Sequence, residues 1–249
     1  MALGAAPAGG PGRAGSARSD GPGFTWTVVI PVKVLARAKS RLAATEGASG
    51  LADADREALA LAMAADTVAA AVASTPVGMV IVVSDDPRVR SDARTLGAEV
   101  IADRPASGLN EALIAGAEFG EAQRPGTGRA ALTADLPSLS AAELARALDA
   151  AAMRPHAFVA DAEGSGTTLY AAAPGAAFRP SFGPRSRERH LRAGAVELNL
   201  PGIVGLRRDV DTLDHLRRAA EIGLGRRSAA IGAALGLASP HHPVSASDP

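Results

Sequence analysis

The chain contains no cysteine. Disulfides, thiolate zinc sites and a cysteine nucleophile are therefore excluded, as expected of a cytoplasmic protein. Aromatic residues are only 3% of the 249 residues, too few for the stacking platforms of a single-stranded nucleic-acid binder. No uninterrupted apolar run reaches the roughly 18 residues that a membrane-spanning helix needs. An excess of one charge is missing too. The 26 Lys plus Arg balance 26 Asp plus Glu, so no global field steers the molecule to nucleic acid or an anionic membrane. Lysine itself is nearly absent: Lys33 and Lys39 are the only two, and they stand in one short window.

That window follows an apolar, β-branched run. Residues 25–42 read TWTVVIPVKVLARAKSRL, and the part over 26–32 suits a strand buried on both faces. A cationic segment with Lys33, Arg37, Lys39, Ser40 and Arg41 comes next. Open α/β folds bind ligands outside the carboxyl ends of their strands, so this is the expected place for a phosphate site. Lysine offers a compact point charge with three rotatable donors, which suits a polyphosphate. Two solvated surface lysines would read the same way.

The remaining pattern alternates helix and strand. Residues 51–73 are rich in Ala and Leu without Gly or Pro and predict a long helix. Strands are expected at 77–83, 99–102, 129–133, 157–160, 167–173 and 196–200, with a helix from Pro87 to about residue 96. Further helices are expected over 111–119, from the Ser140/Glu143 capping box to about residue 153, over 187–193, and from Thr212 to about residue 222. The rhythm is that of a single α/β domain with a doubly wound, mostly parallel sheet over 25–225. Residues 1–24 are Gly, Ala, Pro and Ser without the apolar segment of a secretory signal and read as a disordered tail. Residues 226–249 read as a frayed helix and a second tail, which holds the pair His241 and His242.

Several loops carry groups capable of chemistry. Asp135, Asp209 and Asp211 stand at strand ends or in loops, and the D-x-D spacing puts the last two on one face of an extended segment. Carboxylates of this kind suit Mg²⁺, which takes one or two of them together with substrate phosphates. Helix capping and ion pairs to Arg207 or Arg208 would account equally for Asp209 and Asp211, as a turn before Pro137 would for Asp135. Gly183-Pro184-Arg185-Ser186 ahead of a basic helix forms an anion clasp or simply opens a solvated helix. Gly164-Ser165-Gly166-Thr167-Thr168 offers a second anion-binding turn or an ordinary hairpin. Residues 103–110 lead small residues into a helix, where backbone N–H groups face an anion or a base edge.

Taken together, six motifs in order are familiar: IPVKxLxxAKSRL, GLN, ADLP, GTTL, FGPxS and RRDVDT. The set resembles the phosphoenolpyruvate or 2-phospho-L-lactate guanylyltransferases of deazaflavin coenzyme (F-420) biosynthesis. The resemblance implies a nucleotide-diphosphosugar-transferase-like fold of the GT-A-like, Rossmann-like type, with GTP as co-substrate and Mg²⁺ as cofactor. It implies that Thr168, Gly183 and Ser186 hold the three-carbon acceptor and that Asp135, Asp209 and Asp211 position Mg²⁺. It further implies that Lys33, Lys39 and Arg41 meet the GTP phosphates, with Lys33, Lys39 and Asp135 at the chemistry, and that Asn110 touches the nucleoside. Arg185 departs from the small residue common at its position.

The Ala- and Arg-rich composition is that of a high-GC genome, where the resemblance implies phosphoenolpyruvate as acceptor. The product, enolpyruvyl-diphospho-5′-guanosine, would pass to the next transferase of the pathway; a homodimer is compatible with the family. The rival readings are 2-phospho-L-lactate or 3-phosphoglycerate as acceptor, a sugar-phosphate or molybdopterin-type nucleotidyltransferase, and a non-enzymatic nucleotide-sensing protein. A dinucleotide-dependent oxidoreductase is disfavoured, since no G-x-G-x-x-G follows the first strand.

Overall fold

A computed structural model of the chain describes residues 23–37, 51–103 and 108–237. Lys39, Arg41, His241 and His242 lie outside the described residues, as do residues 1–22 of the expected tail. The chain folds as β1 (Trp26–Pro31), α1 (Asp53–Val72), β2 (Val77–Val83), α2 (Pro87–Thr95), β3 (Glu99–Ile101), α3 (Leu109–Gln123), β4 (Gly128–Leu132) and α4 (Ala141–Ala151). There follow β5 (His156–Ala160), β6 (Thr167–Ala172), α5 (Ser186–Arg192), β7 (Val196–Glu197), α6 (Val204–Arg207), α7 (Leu213–Ile222) and α8 (Arg226–Ala234).

One seven-stranded sheet runs in the order β3-β2-β1-β4-β6-β5-β7. Strands β1 to β4 pair in parallel, while β6 runs antiparallel to both β4 and β5. The sheet is mixed but mostly parallel. Helices cover both faces, which is why its strands are apolar throughout rather than alternating. Val28 and Ile30 of β1 pack with Ala64 and Val68 of α1 and Leu144 and Leu148 of α4. On the other face Val29 packs with Ala112, Leu113 and Ala117 of α3. Gly116 lets α3 approach closely, since a Cβ there would lie 2.4 Å from Val29 Cγ1.

The topology dictates where a site forms. The chain lays β2 and β3 on one side of β1 and then returns to place β4 on the other. Such a switch of direction opens a crevice at the carboxyl ends of the two central strands. Lys33 follows β1, Asp85 follows β2, Asp103 follows β3 and Thr133 follows β4, so all four reach one edge of the sheet. Because β6 runs the other way, it brings its first residue, Thr167, to that same edge.

Local signals explain the boundaries. Asp86 caps α2, accepting from Arg88 N–H at 2.9 Å with Pro87 at the first helical position. Ser140 and Glu143 form the capping box of α4. At the C-terminal side Asp66 of α1 accepts from the N–H groups of Arg227 and Ser228, holding α8 against α1. Ile231 joins Leu59 and Met63 there. The packed body thus runs past residue 225, the edge expected for it.

Candidate active site

The loop after β1 is fixed at its root. Val32 N–H donates to Val83 O, and Leu35 N–H donates to Asp86 Oδ2 at 3.1 Å. From α1 the buried Arg56 donates to the carbonyls of Leu35 and Ala36 at 3.2 and 3.3 Å. Burial works to raise the Asp86 carboxyl, yet donation from Leu35 N–H and from the side chain and backbone of Arg88 outweighs it and leaves the pKa lowered. Asp86 therefore caps a helix and clamps this loop with one carboxylate. Lys33 stands exposed above the clamp.

Two adjoining compartments open at this edge, of about 550 and about 500 Å³, and share Lys33 and Leu109. Volumes of that order admit a nucleotide or a small acid. The first lies over the parallel strands and is walled by Pro31, Val83, Asp85, Asp103, Gly108 and Ala112. Burial, then the neighbouring charge of Asp85, raises the Asp103 carboxyl pKa, with Lys33 acting against them. The second is walled by Thr133, Thr167, Gly183, Ser186, Asp209 and Asp211 among others. Lys33 is at the seam.

Asp209 and Asp211 line the second compartment, and Asp135 lines neither. Val210 is wholly buried against Leu59, Met63 and Leu216, which turns Asp209 and Asp211 together to the cleft. Capping of α7 falls to Thr212, whose Oγ1 accepts from His215 N–H at 3.2 Å. Asp135 is bound to this segment through its backbone, since Val210 N–H donates to Asp135 O at 3.1 Å. Buried Thr67 of α1 braces the residues on either side of it. It donates to Ala134 O at 3.3 Å and accepts from Leu136 N–H at 3.1 Å. Among the described residues no three Asp, Glu or His side chains converge closely enough to hold an ion unaided.

Around the second compartment the structure departs from expectation in three ways. Thr167 and Thr168 are both buried, and of the two only Thr167 lies on the cleft wall. The reason is a slip in the β5–β6 ladder: Val159 pairs with Leu169 but Ala160 with Thr167, giving Thr167 the place a regular ladder would give Thr168. The Gly164–Gly166 turn is no anion clasp. Asp161 accepts from Ser165 N–H at 2.9 Å and Gly166 N–H at 2.7 Å, filling the turn with the protein's own carboxylate. Asn110 does not line the first compartment. Its amide donates to Phe182 O at 3.1 Å and accepts from Phe182 N–H at 2.7 Å, tying α3 to the Gly183–Ser186 turn.

That turn is itself constrained. Arg185 sits at φ 55, the left-handed region, and among the described residues no other non-glycine has positive φ. Arg189 donates to Ser181 O through Nε and Nη2 at 3.2 and 3.0 Å. His190 is fully buried beside Tyr170, with ring centroids 4.8 Å apart, and is flanked by Phe158 and Phe182. Its Nε2 accepts from Ser181 N–H at 2.9 Å, and its Nδ1 lies 3.0 Å from Thr167 Oγ1.

Several wall residues had no site role assigned from the sequence: Thr133, Asp161 and Asp85. Thr133 was visible as the residue before ADLP at a strand end. Its buried hydroxyl has no hydrogen-bond partner among the described residues.

Residues 26–202 match the family described as guanylyl transferase, CofC like, and the chain belongs to that family. It is 54% identical over 217 residues to a Thermomonospora curvata protein named phosphoenolpyruvate guanylyltransferase, covering 87% of this chain and 92% of that one. A Streptomyces avermitilis protein of the same name is 53% identical, with 86% and 97% covered. Among solved structures, a Methanothermobacter nucleotidyl transferase aligns with a TM-score of 0.54 at 18% identity, covering 80% of this chain and 98% of that one. At that identity the likeness is one of fold.

Proposed function

We propose that the protein transfers the guanylyl group of GTP to phosphoenolpyruvate, giving enolpyruvyl-diphospho-5′-guanosine and pyrophosphate within deazaflavin coenzyme F-420 biosynthesis. The observation that carries the proposal is Lys33 at the seam of two compartments on one sheet edge. The relatives named for this activity and the cleft's chemistry support the same reading.

In this account GTP occupies the compartment over the parallel strands. The acceptor lies against Thr167, Gly183 and Ser186, with Thr167 in the role expected of Thr168. An oxygen of the acceptor's phosphate attacks the α-phosphorus of GTP. The new P–O bond forms as the bond from the α-phosphorus to the β-phosphate bridging oxygen breaks, and pyrophosphate leaves. The nucleophile is already an anion, so no protein base is needed. Lys33 neutralises charge that builds on the transferring phosphoryl group, and the walls hold the reactants in line. Lys39 and Arg41 would add charge on the GTP side.

The donor set fits a hard divalent ion: Asp209 and Asp211 face the cleft, Asp135 is bound beside them, and cysteine is absent. Asp209 and Asp211, with Asp135 beside them, would hold Mg²⁺ together with substrate phosphates. Bound there, Mg²⁺ would supply charge neutralisation and a template for phosphate oxygens, and the phosphates would complete its shell, as is usual for this ion. The product would be handed to the next transferase of the pathway.

The test is direct. Purified protein with GTP and Mg²⁺ is given phosphoenolpyruvate, 2-phospho-L-lactate or 3-phosphoglycerate, and the product mass is read. Pyrophosphate release with the enolpyruvyl adduct is expected. An adduct only with another acceptor, or a preference for CTP, ATP or UTP, would overturn the proposal.

A further inference from the structure

Acceptor recognition depends on which way the hydroxyl of Thr167 points, and the cage behind it determines that. We propose that His190 is a positioning residue: its ring, held with the proton on Nδ1, forces the Thr167 hydroxyl to donate into the cleft. The inference rests on reading this compartment as the site of an anionic three-carbon acceptor.

The hydrogen bonds leave one arrangement. A backbone N–H can only donate, so the Ser181 N–H at 2.9 Å requires a bare lone pair on His190 Nε2. A neutral ring then carries its proton on Nδ1, 3.0 Å from Thr167 Oγ1. Thr167 must accept that proton's hydrogen bond, and its own O–H is turned away from the ring. Thr167 lies on the cleft wall, which leaves its hydroxyl hydrogen for an acceptor on that side. The reverse tautomer would set an Nε2–H against the Ser181 N–H.

Packing keeps the ring neutral and oriented. His190 has no exposed surface and is stacked on Tyr170, with Phe158 and Phe182 against its other sides. Burial, aided by the charge of Arg189, lowers its pKa to about 4. The contact with Ser181 also reaches the turn that carries Gly183, so one ring ties together both walls of the acceptor compartment. An oriented donor suits a carboxylate or phosphate oxygen, both acceptors only.

Two measurements on the full-length protein test this. In ¹⁵N-histidine NMR at neutral pH, His190 should show a protonated Nδ1 and a bare Nε2. A proton on Nε2, or a cationic ring, would overturn the proposal even if every variant misfolds. In steady-state kinetics, His190→Gln removes the donor near Nδ1. It should raise the acceptor KM about tenfold, the loss of one hydrogen bond, with kcat and the GTP KM within about twofold. His190→Asn, whose amide nitrogen falls near the Nδ1 position, should recover most of that loss. In a Thr167→Val background His190→Gln should add nothing further to the acceptor KM. Equal changes in both KM values, or the full effect in the Thr167→Val background, would reduce His190 to a packing residue. Wild-type protein that never turns over GTP with phosphoenolpyruvate would remove the underlying reading instead, whatever the tautomer.

Discussion

The two halves of the sheet build their cleft walls by different means. On the β1–β3 side, parallel strands hand the chain to loops anchored at their roots by buried ionisable groups: Asp86 and Arg56 hold the backbone at Leu35 and Ala36. On the β5–β6 side, the antiparallel pair is joined by a short turn closed by Asp161. Its walls are then bolted by side chains from far along the chain, Asn110 to Phe182 and His190 to Thr167. One side moors a loop that bears charge; the other builds a rigid frame for small donors. That division suits a flexible triphosphate on one side and a small acid on the other. Between them stands Lys33, with Asp209 and Asp211 on the wall of the second compartment.

Substitutions at the aspartates and Lys33 should strike hardest and not discriminate between substrates. Asp211→Asn or Asp135→Asn is expected to lower kcat about a thousandfold or more, while the melting temperature stays within about 2 °C. Near-normal pyrophosphate release from either folded variant would break the comparison. Lys33→Ala should lower kcat/KM about a hundredfold whichever substrate is varied. A loss confined to one substrate would place Lys33 inside one half.

Next in size is an effect on stability peculiar to the acceptor half. His190 is neutral in the fold with a pKa lowered to about 4 from 6.5, so between those values the unfolded chain binds a proton that the folded chain refuses. Its contribution is full above about pH 6.5 and is lost as pH falls through about 4, about 3 kcal/mol in all. The charge of Arg189 adds to the lowering, and burial raises the Tyr170 hydroxyl, keeping it neutral there. Urea unfolding at a series of pH values should show the decline, and His190→Asn should flatten it.

The smallest effect belongs to the nucleotide half. Asp86→Ala removes both the α2 cap and the loop clamp. It should cost about 2 kcal/mol and raise the GTP KM about tenfold, with the acceptor KM unchanged. A matching rise in both KM values would erase the distinction between the halves.

The nucleotide half was the more legible in the sequence. Its strands are apolar because both faces are covered, and Pro87 marks the start of α2 by local chemistry. The D-x-D pair was legible because strand periodicity is also local, with Val210 buried between its neighbours. The acceptor half hides its logic in distant partners. Asn110 reads as a base contact until Phe182 is seen 72 residues away, claiming its amide. Thr168 reads as the cleft residue until the β5–β6 slip hands that place to Thr167. Asp161 belongs to no motif, yet it fills the turn that glycines alone seemed to leave open.

The division of labour itself is tested most directly by a crystal grown with a non-hydrolysable GTP analogue, Mg²⁺ and phosphoenolpyruvate. The account predicts the nucleoside over β1–β3 beside Asp85 and Asp103, the acid against Thr167 and Ser186, and Lys33 Nζ in hydrogen-bond contact with the α-phosphate. Nucleoside density against Thr167, or a Lys33 that touches neither ligand, would contradict it.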